Sequence, residues 1–154
     1  YYPNSGEIAV NGSISTLIAL TTGLDLEMNG LENIYLSSYL RGYKKKEIEK
    51  KINQIVDFSE LGESIYKPTR VYSSGMLTRL SSSIFISFES DIMLLDEFIS
   101  TGDKSYRNKL LRHMEEKFKN SKIVVFASHE ESMIDKLCNI KVTMQDGEII
   151  KIEK

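Results

Sequence analysis

The chain has 154 residues, of which 41% are hydrophobic and 27% charged, ordinary globular usage that excludes wholesale disorder and a collagen-like or disulfide-dense scaffold. That length suits one domain and can bury about 70% of the surface an unfolded chain exposes. Twenty Lys and Arg against 22 Asp and Glu offer no global positive field for a phosphate backbone, so nucleic acid is a poor partner.

The single cysteine, Cys138, allows no internal disulfide and fits a reducing compartment, although it fits a cysteine-poor secreted chain as well. No apolar run approaches the length needed to cross a bilayer, so membrane contact is expected through a partner. Tyr1-Tyr2-Pro3-Asn4-Ser5-Gly6 has neither an initiating Met nor a signal-peptide pattern, and reads as a chain cut at its start.

In chain order, Glu7 to Val10 and Ile14 to Leu20 read as two strands of a hairpin turned at Asn11-Gly12. Thr21 to Asn29 reads as a loop and Leu31 to Leu40 as a helix. Arg41 to Lys51 carries six basic residues against Glu47 and Glu49, with Ile48, Ile52, Ile55 and Val56 at helical spacing. That is the wet face of an amphipathic helix, with contact to acidic groups as the alternative. Lys67-Pro68 ends this region, and a helix follows Gly75 with an apolar stripe of Leu77, Leu80, Ile84 and Phe88. Ser81 to Ser83 narrow that helix for close packing against a neighbour.

The second half alternates strand and helix. Ile92 to Leu95 and Ile123 to Ala127 are short apolar runs of the kind buried on both faces of a parallel sheet. Asp103 to Lys119 is helical with Tyr106, Leu110, Leu111, Met114 and Phe118 on one side, and a further helix is expected near Glu130 to Leu137. Asp146-Gly147 turns a hairpin between Lys141 to Gln145 and Glu148 to Ile152. His113 reads as exposed and Cys138 as a small core residue.

Ligands of an open α/β sheet sit beyond the carboxyl ends of its strands. Two apolar strands end in polar residues there, one in Asp96-Glu97 and the other in Ser128-His129. Each alone also serves as a turn or cap; together they could meet as a metal-binding carboxylate, a general base and an imidazole hydrogen-bonder. Val71-Tyr72-Ser73-Ser74-Gly75-Met76 runs directly into an amphipathic helix, whose unpaired first amides suit a phosphate or, more simply, serine capping.

Taken together, these motifs resemble the ATPase subunit of ATP-binding cassette (ABC) transporters, across almost the whole chain. Tyr72-Ser73-Ser74-Gly75-Met76 matches the signature that usually reads Leu-Ser-Gly-Gly-Gln, with Arg79 where that family carries an Arg on the following helix. Ile92 to Asp96 resembles the Walker B strand. The resemblance implies that Asp96 holds magnesium through water, that Glu97 is the general base, that Asp103 closes the D-loop and that His129 is the switch histidine at the γ-phosphate. Gly102-Asp103, Asn29 to Ile34 and Phe58-Ser59-Glu60-Leu61-Gly62 are similar to the polysaccharide and teichoic-acid exporters of that family.

The implied fold is an α/β, P-loop-NTPase-like parallel-sheet core, truncated at its N-terminus, with a helical subdomain near 33–88 and a catalytic α/β part near 91–154. The implied cofactors are ATP and magnesium. The implied partners are a second cassette, whose nucleotide Ser73, Ser74 and Gly75 would contact with Tyr72 and Met76 beside them, and an integral-membrane permease that itself handles the glycan. The implied location is the cytoplasmic face of the membrane. Two features depart from the family. No glycine is followed by lysine, so the phosphate-binding Gly-x-x-x-x-Gly-Lys is absent from these residues, and Ala19, Leu20 and Thr21 stand where many members carry a Gln. A catalytically silent module that docks on a partner ATPase or permease is therefore the competing reading.

Overall fold

The computed structural model describes residues 3–17, 23–96 and 103–154. Three parallel strands, β1 (Ile14–Leu17), β2 (Ile92–Asp96) and β3 (Ile123–Ala127), form a sheet in that order. Ile14 pairs with Ile92, and Asp96 with Ala127. Parallel neighbours need a crossover. Between β1 and β2 run α1 (Gly30–Leu40), α2 (Lys45–Ser59) and α3 (Ser74–Ser87); between β2 and β3 runs α4 (Lys104–Asn120). After β3 come α5 (Glu131–Leu137) and the antiparallel hairpin of β4 (Lys141–Gln145) and β5 (Glu148–Glu153), turned at Asp146-Gly147 with both φ angles positive.

The N-terminal hairpin expected from Asn11-Gly12 does not form. Glu7 to Val10 lies in no strand, Ile8 and Val10 are exposed, and Ile14–Leu17 pairs in parallel with β2. Asp91 explains the change, because its carboxylate accepts from the Ser13 amide and hydroxyl, both at 2.9 Å, which lays the chain beside β2. Gly12, at φ +137°, packs so close to Asp91 that a Cβ there would lie 2.8 Å from the Asp91 Cβ. Lys122 reaches the other Asp91 oxygen at 2.7 Å. One carboxylate thus gathers the starts of all three strands, and these partners, Lys122 foremost, hold it far below the usual carboxylate range.

The helices form where the periodicity predicts. Asn29 caps α1 in a reciprocal box with Glu32: the Glu32 amide donates to Asn29 Oδ1 and the Asn29 amide to Glu32 Oε2, each at 2.9 Å. Ile48 and Ile55 are fully buried on α2, while its lysines lie mostly toward solvent. Leu80, Ile84 and Phe88 join them in one apolar cluster with Ile34, Leu61, Ile65 and Tyr72. A second cluster, Leu17, Phe85, Met93, Leu95, Tyr106, Leu110 and Met114 among its members, lies between the sheet and α4. α3 contributes to both, Leu80 and Ile84 to the first and Phe85 to the second. The serine run permits this, since Ser82 and Ser83 are buried with their hydroxyls 2.8 and 3.2 Å from the Tyr106 hydroxyl of α4.

The strands are less enclosed than their apolar runs suggest. Met93 and Leu95 are buried, but Ile92 and Leu94 are half-buried, and Ile123 and Val125 of β3 are more than half exposed. β3 is an edge of the described sheet, so continuous apolarity here does not mean burial on both faces. Cys138 is half-buried rather than core. His113 is exposed as expected, although its ring meets Phe58 edge-on at 4.8 Å.

Candidate functional site

Asp96 ends β2 and Ser128-His129 follow the end of β3, on neighbouring parallel strands. β2 and β3 are adjacent and parallel, Asp96 stands opposite Ala127, and His129 follows two residues later. Both side chains are exposed at the carboxyl edge of the sheet. Ser128 organises the exit from β3 by accepting from the Glu130 amide at 3.1 Å. A cleft of about 850 Å³ runs along β3 towards β4 and includes Ser128 and His129 in its wall. A smaller one, of about 350 Å³, lies beside Ser13, Asp91 and Lys117, at the opposite end of the strands from Asp96. Glu97 and Gly102 lie outside the described residues.

The signature segment is built on α3. Ser73 is its N-cap, and the Ser73 hydroxyl accepts from the Met76 amide at 3.2 Å. Ser73 and Ser74 are exposed, Gly75 and Met76 half-buried. The first turn carries no acidic side chain that would compete with an anion. A Cβ added at Gly75 would meet only the Ser73 hydroxyl, at 3.8 Å, so the approach to these amides is open.

Tyr72 behaves differently from its neighbours. It is buried, and its hydroxyl donates to the Ser64 carbonyl at 2.6 Å. Burial pushes its ionisation above the ordinary tyrosine value. Tyr72 is thus an anchor that fixes the signature to the apolar cluster around α1 and α2, whereas Ser73, Ser74 and Gly75 remain available to a ligand.

Asp103 is the N-cap of α4: one carboxylate oxygen accepts from the Tyr106 amide at 2.9 Å and the other pairs with Arg79 of α3. The Tyr106 amide first, and Arg79 next, hold Asp103 below the usual carboxylate range. Arg79 also reaches Glu60 at 3.2 Å, and Lys109 reaches the same carboxylate at 2.7 Å. Sequence reasoning found Arg79 and Asp103 but neither Glu60 nor Tyr106 as their partners. Glu60 ends α2 in a left-handed conformation with φ 54°, a position no periodicity marks.

The donor set fits magnesium nucleotide. An exposed carboxylate at a strand end suits a cation that keeps most of its water and phosphate ligands, and an unobstructed helix N-terminus suits phosphate. Among the described residues no group of three or more acidic, His or Cys side chains could hold a metal by itself. No described helix is long and apolar enough to cross a membrane.

This architecture has the fold of the ATP-binding cassette. The chain superimposes with a TM-score of 0.73 on a post-hydrolysis dimer of the ATP-binding cassette MJ0796 bound to ADP and Pi, covering 92% of this chain and 62% of that one at 18% identity. A second solved structure, an ATP-binding subunit of an ABC transporter, gives 0.78 over 92% of this chain and 58% of that one, also at 18% identity. No family model matches the sequence.

In sequence the chain is similar to ABC transporter ATP-binding proteins. It is 40% identical over 147 residues to the O-antigen export system ATP-binding protein RfbE of Yersinia enterocolitica, covering 96% of this chain and 62% of that protein. It is 35% identical to RfbB of Klebsiella pneumoniae over 97% of the chain and 61% of that protein. The teichoic acids export ATP-binding protein TagH of Staphylococcus epidermidis matches at 38% identity, over 96% of the chain and 55% of that protein. The chain therefore spans about three fifths of the length of these two O-antigen relatives.

Proposed function

We propose that these residues form the C-terminal portion of one cassette domain, in a protein that binds and hydrolyses ATP to export a lipid-linked polysaccharide or teichoic acid. The observation that carries the reading is the pairing of Asp96 with Ala127, which sets the Walker-B-like carboxylate and His129 on neighbouring parallel strand ends. The export relatives support the transported class.

In this reading Glu97 polarises the attacking water and His129 contacts the γ-phosphate. Magnesium, when bound, neutralises phosphate charge, and Asp96 holds it through water. Ser73, Ser74 and Gly75 face the γ-phosphate of a nucleotide held by a second cassette, through the open N-terminus of α3. Two cassettes would dock on an integral-membrane permease at the cytoplasmic face, and the permease would contact the glycan. The chain alone would bind ATP weakly and not hydrolyse it.

The test is Glu97→Gln in the complete protein, which is expected to retain ATP binding and lose turnover; unchanged turnover would remove Glu97 from the base role. The missing Gly-Lys pair favours a second reading, a silent module docked on a partner ATPase or permease. It predicts that the complete protein binds no ATP.

A further inference from the structure

We infer that Arg79 is a positioning residue that locks the signature helix α3 to the start of α4, an inference that rests on the ATPase reading above. Arg79 lies six residues beyond the N-cap Ser73. Its guanidinium pairs with Asp103 and with Glu60. Asp103 in turn accepts from the Tyr106 amide, and the Tyr106 hydroxyl returns to the Arg79 carbonyl at 3.0 Å. The guanidinium carbon sits 4.9 Å from the centre of the Tyr106 ring.

Arg79, Asp103 and Tyr106 therefore close a ring of contacts between two helices, and neither helix can slide or rotate against the other without breaking it. The Arg79 side chain is only 22% exposed, while Asp103 is about half exposed, so the ring is held by the packing of the guanidinium and its several partners rather than by a buried ion pair. A planar fork is needed to reach Glu60 and Asp103 together, which a lysine point charge cannot reproduce.

The two ends of the ring serve different nucleotides. Ser73 and Gly75 on α3 would face the nucleotide of the second cassette, while Asp103 closes the segment that leaves Asp96, the chain's own magnesium carboxylate. Arg79 would thus hold two half-sites in fixed relation without touching either nucleotide, and its loss should lower kcat through misplacement and leave KM nearly unchanged.

The experiment is steady-state ATP hydrolysis by the complete protein with four substitutions. Asp103→Asn keeps an excellent helix cap but removes the charge, which isolates the ion pair from the capping bond. Arg79→Met and Asp103→Asn are each expected to lower kcat about tenfold with KM within about twofold, and the double variant to lose no more than either alone. Arg79→Lys should recover little. Lys109→Gln, which removes the charged bonds to Glu60 and to the Phe58 carbonyl but leaves the Arg79–Asp103 pair in place, is expected to lower the melting temperature and leave kcat within about twofold. Full kcat in Arg79→Met, additive losses in the double variant, or an equal loss of kcat in Lys109→Gln would overturn the inference and leave the ATPase reading standing. A wild-type protein that does not hydrolyse ATP would overturn both.

Discussion

The Tyr72 hydroxyl donates to the Ser64 carbonyl at 2.6 Å, and Gly30 lies so close beneath that a Cβ there would come within 2.6 Å of the same hydroxyl. Tyr72 is therefore held by Ser64 over the start of α1. Gly30→Ala should destabilise the fold by about 1–3 kcal/mol, because the added methyl would also meet Ile65 side chain and backbone. Tyr72→Phe should cost about 1 kcal/mol. Urea unfolding of each variant measures both losses.

Much of this arrangement was legible in the sequence. Ile48, Ile55, Leu80 and Ile84 recur at helical spacing, and each is fully buried. Asp96 and His129 follow apolar runs, and adjacent parallel strands set them side by side. What was not legible depends on single long-range contacts. Asn11-Gly12 is a sound local hairpin signal, but Asp91, 78 residues from Ser13, redirects the chain into a parallel pair. Equally, the apolar run Ile123 to Ala127 carries no mark of its edge position, and the Glu60–Arg79–Asp103 contacts join three elements that no local pattern connects.

Asn33 is fully buried, and its amide group donates to the Asp25, Met28 and Asn29 carbonyls at 2.8, 3.2 and 3.0 Å while its oxygen accepts from the Asp25 amide at 2.7 Å. It ties the loop before α1 to that helix. Asn33→Ala leaves several buried backbone groups unpaired and should cost about 2–3 kcal/mol. A melting temperature equal to that of the wild type would contradict this role.

Ser73 separates capping from ligand binding. Ser73→Ala should cost about 1 kcal/mol through loss of the cap. Ser73→Asp keeps the cap but places a negative charge where the phosphate would sit. In the complete protein, Ser73→Asp should fold as stably as the wild type and show little ATP-dependent dimerisation by analytical ultracentrifugation; normal dimerisation would take Ser73 out of the nucleotide interface.

Lys117 of α4 is buried and donates to the Ile86 carbonyl at 3.2 Å and to the Phe88 carbonyl. Burial lowers its pKa to about 8; Lys51 and Arg41 push the same way, and Glu89 opposes them. The unfolded chain therefore binds more protons here than the folded one as pH rises above about 8, and stability should increase with pH in that interval. Above about pH 9 the raised ionisation of half-buried Cys138, and at higher pH that of buried Tyr106, acts in the opposite sense. Urea titrations at pH 7.5 and 9 should show the rise in the wild type and a flatter profile in Lys117→Met.

In the proposed function these residues complete a nucleotide site whose phosphate cradle would lie upstream of Tyr1. Titration calorimetry with ATP and magnesium tests it most directly, on this chain and on a version extended upstream to the natural start codon. The extended protein is expected to show saturable binding and the chain alone weak or no binding. Absence of binding in both would contradict it and establish the silent docking module as the better description.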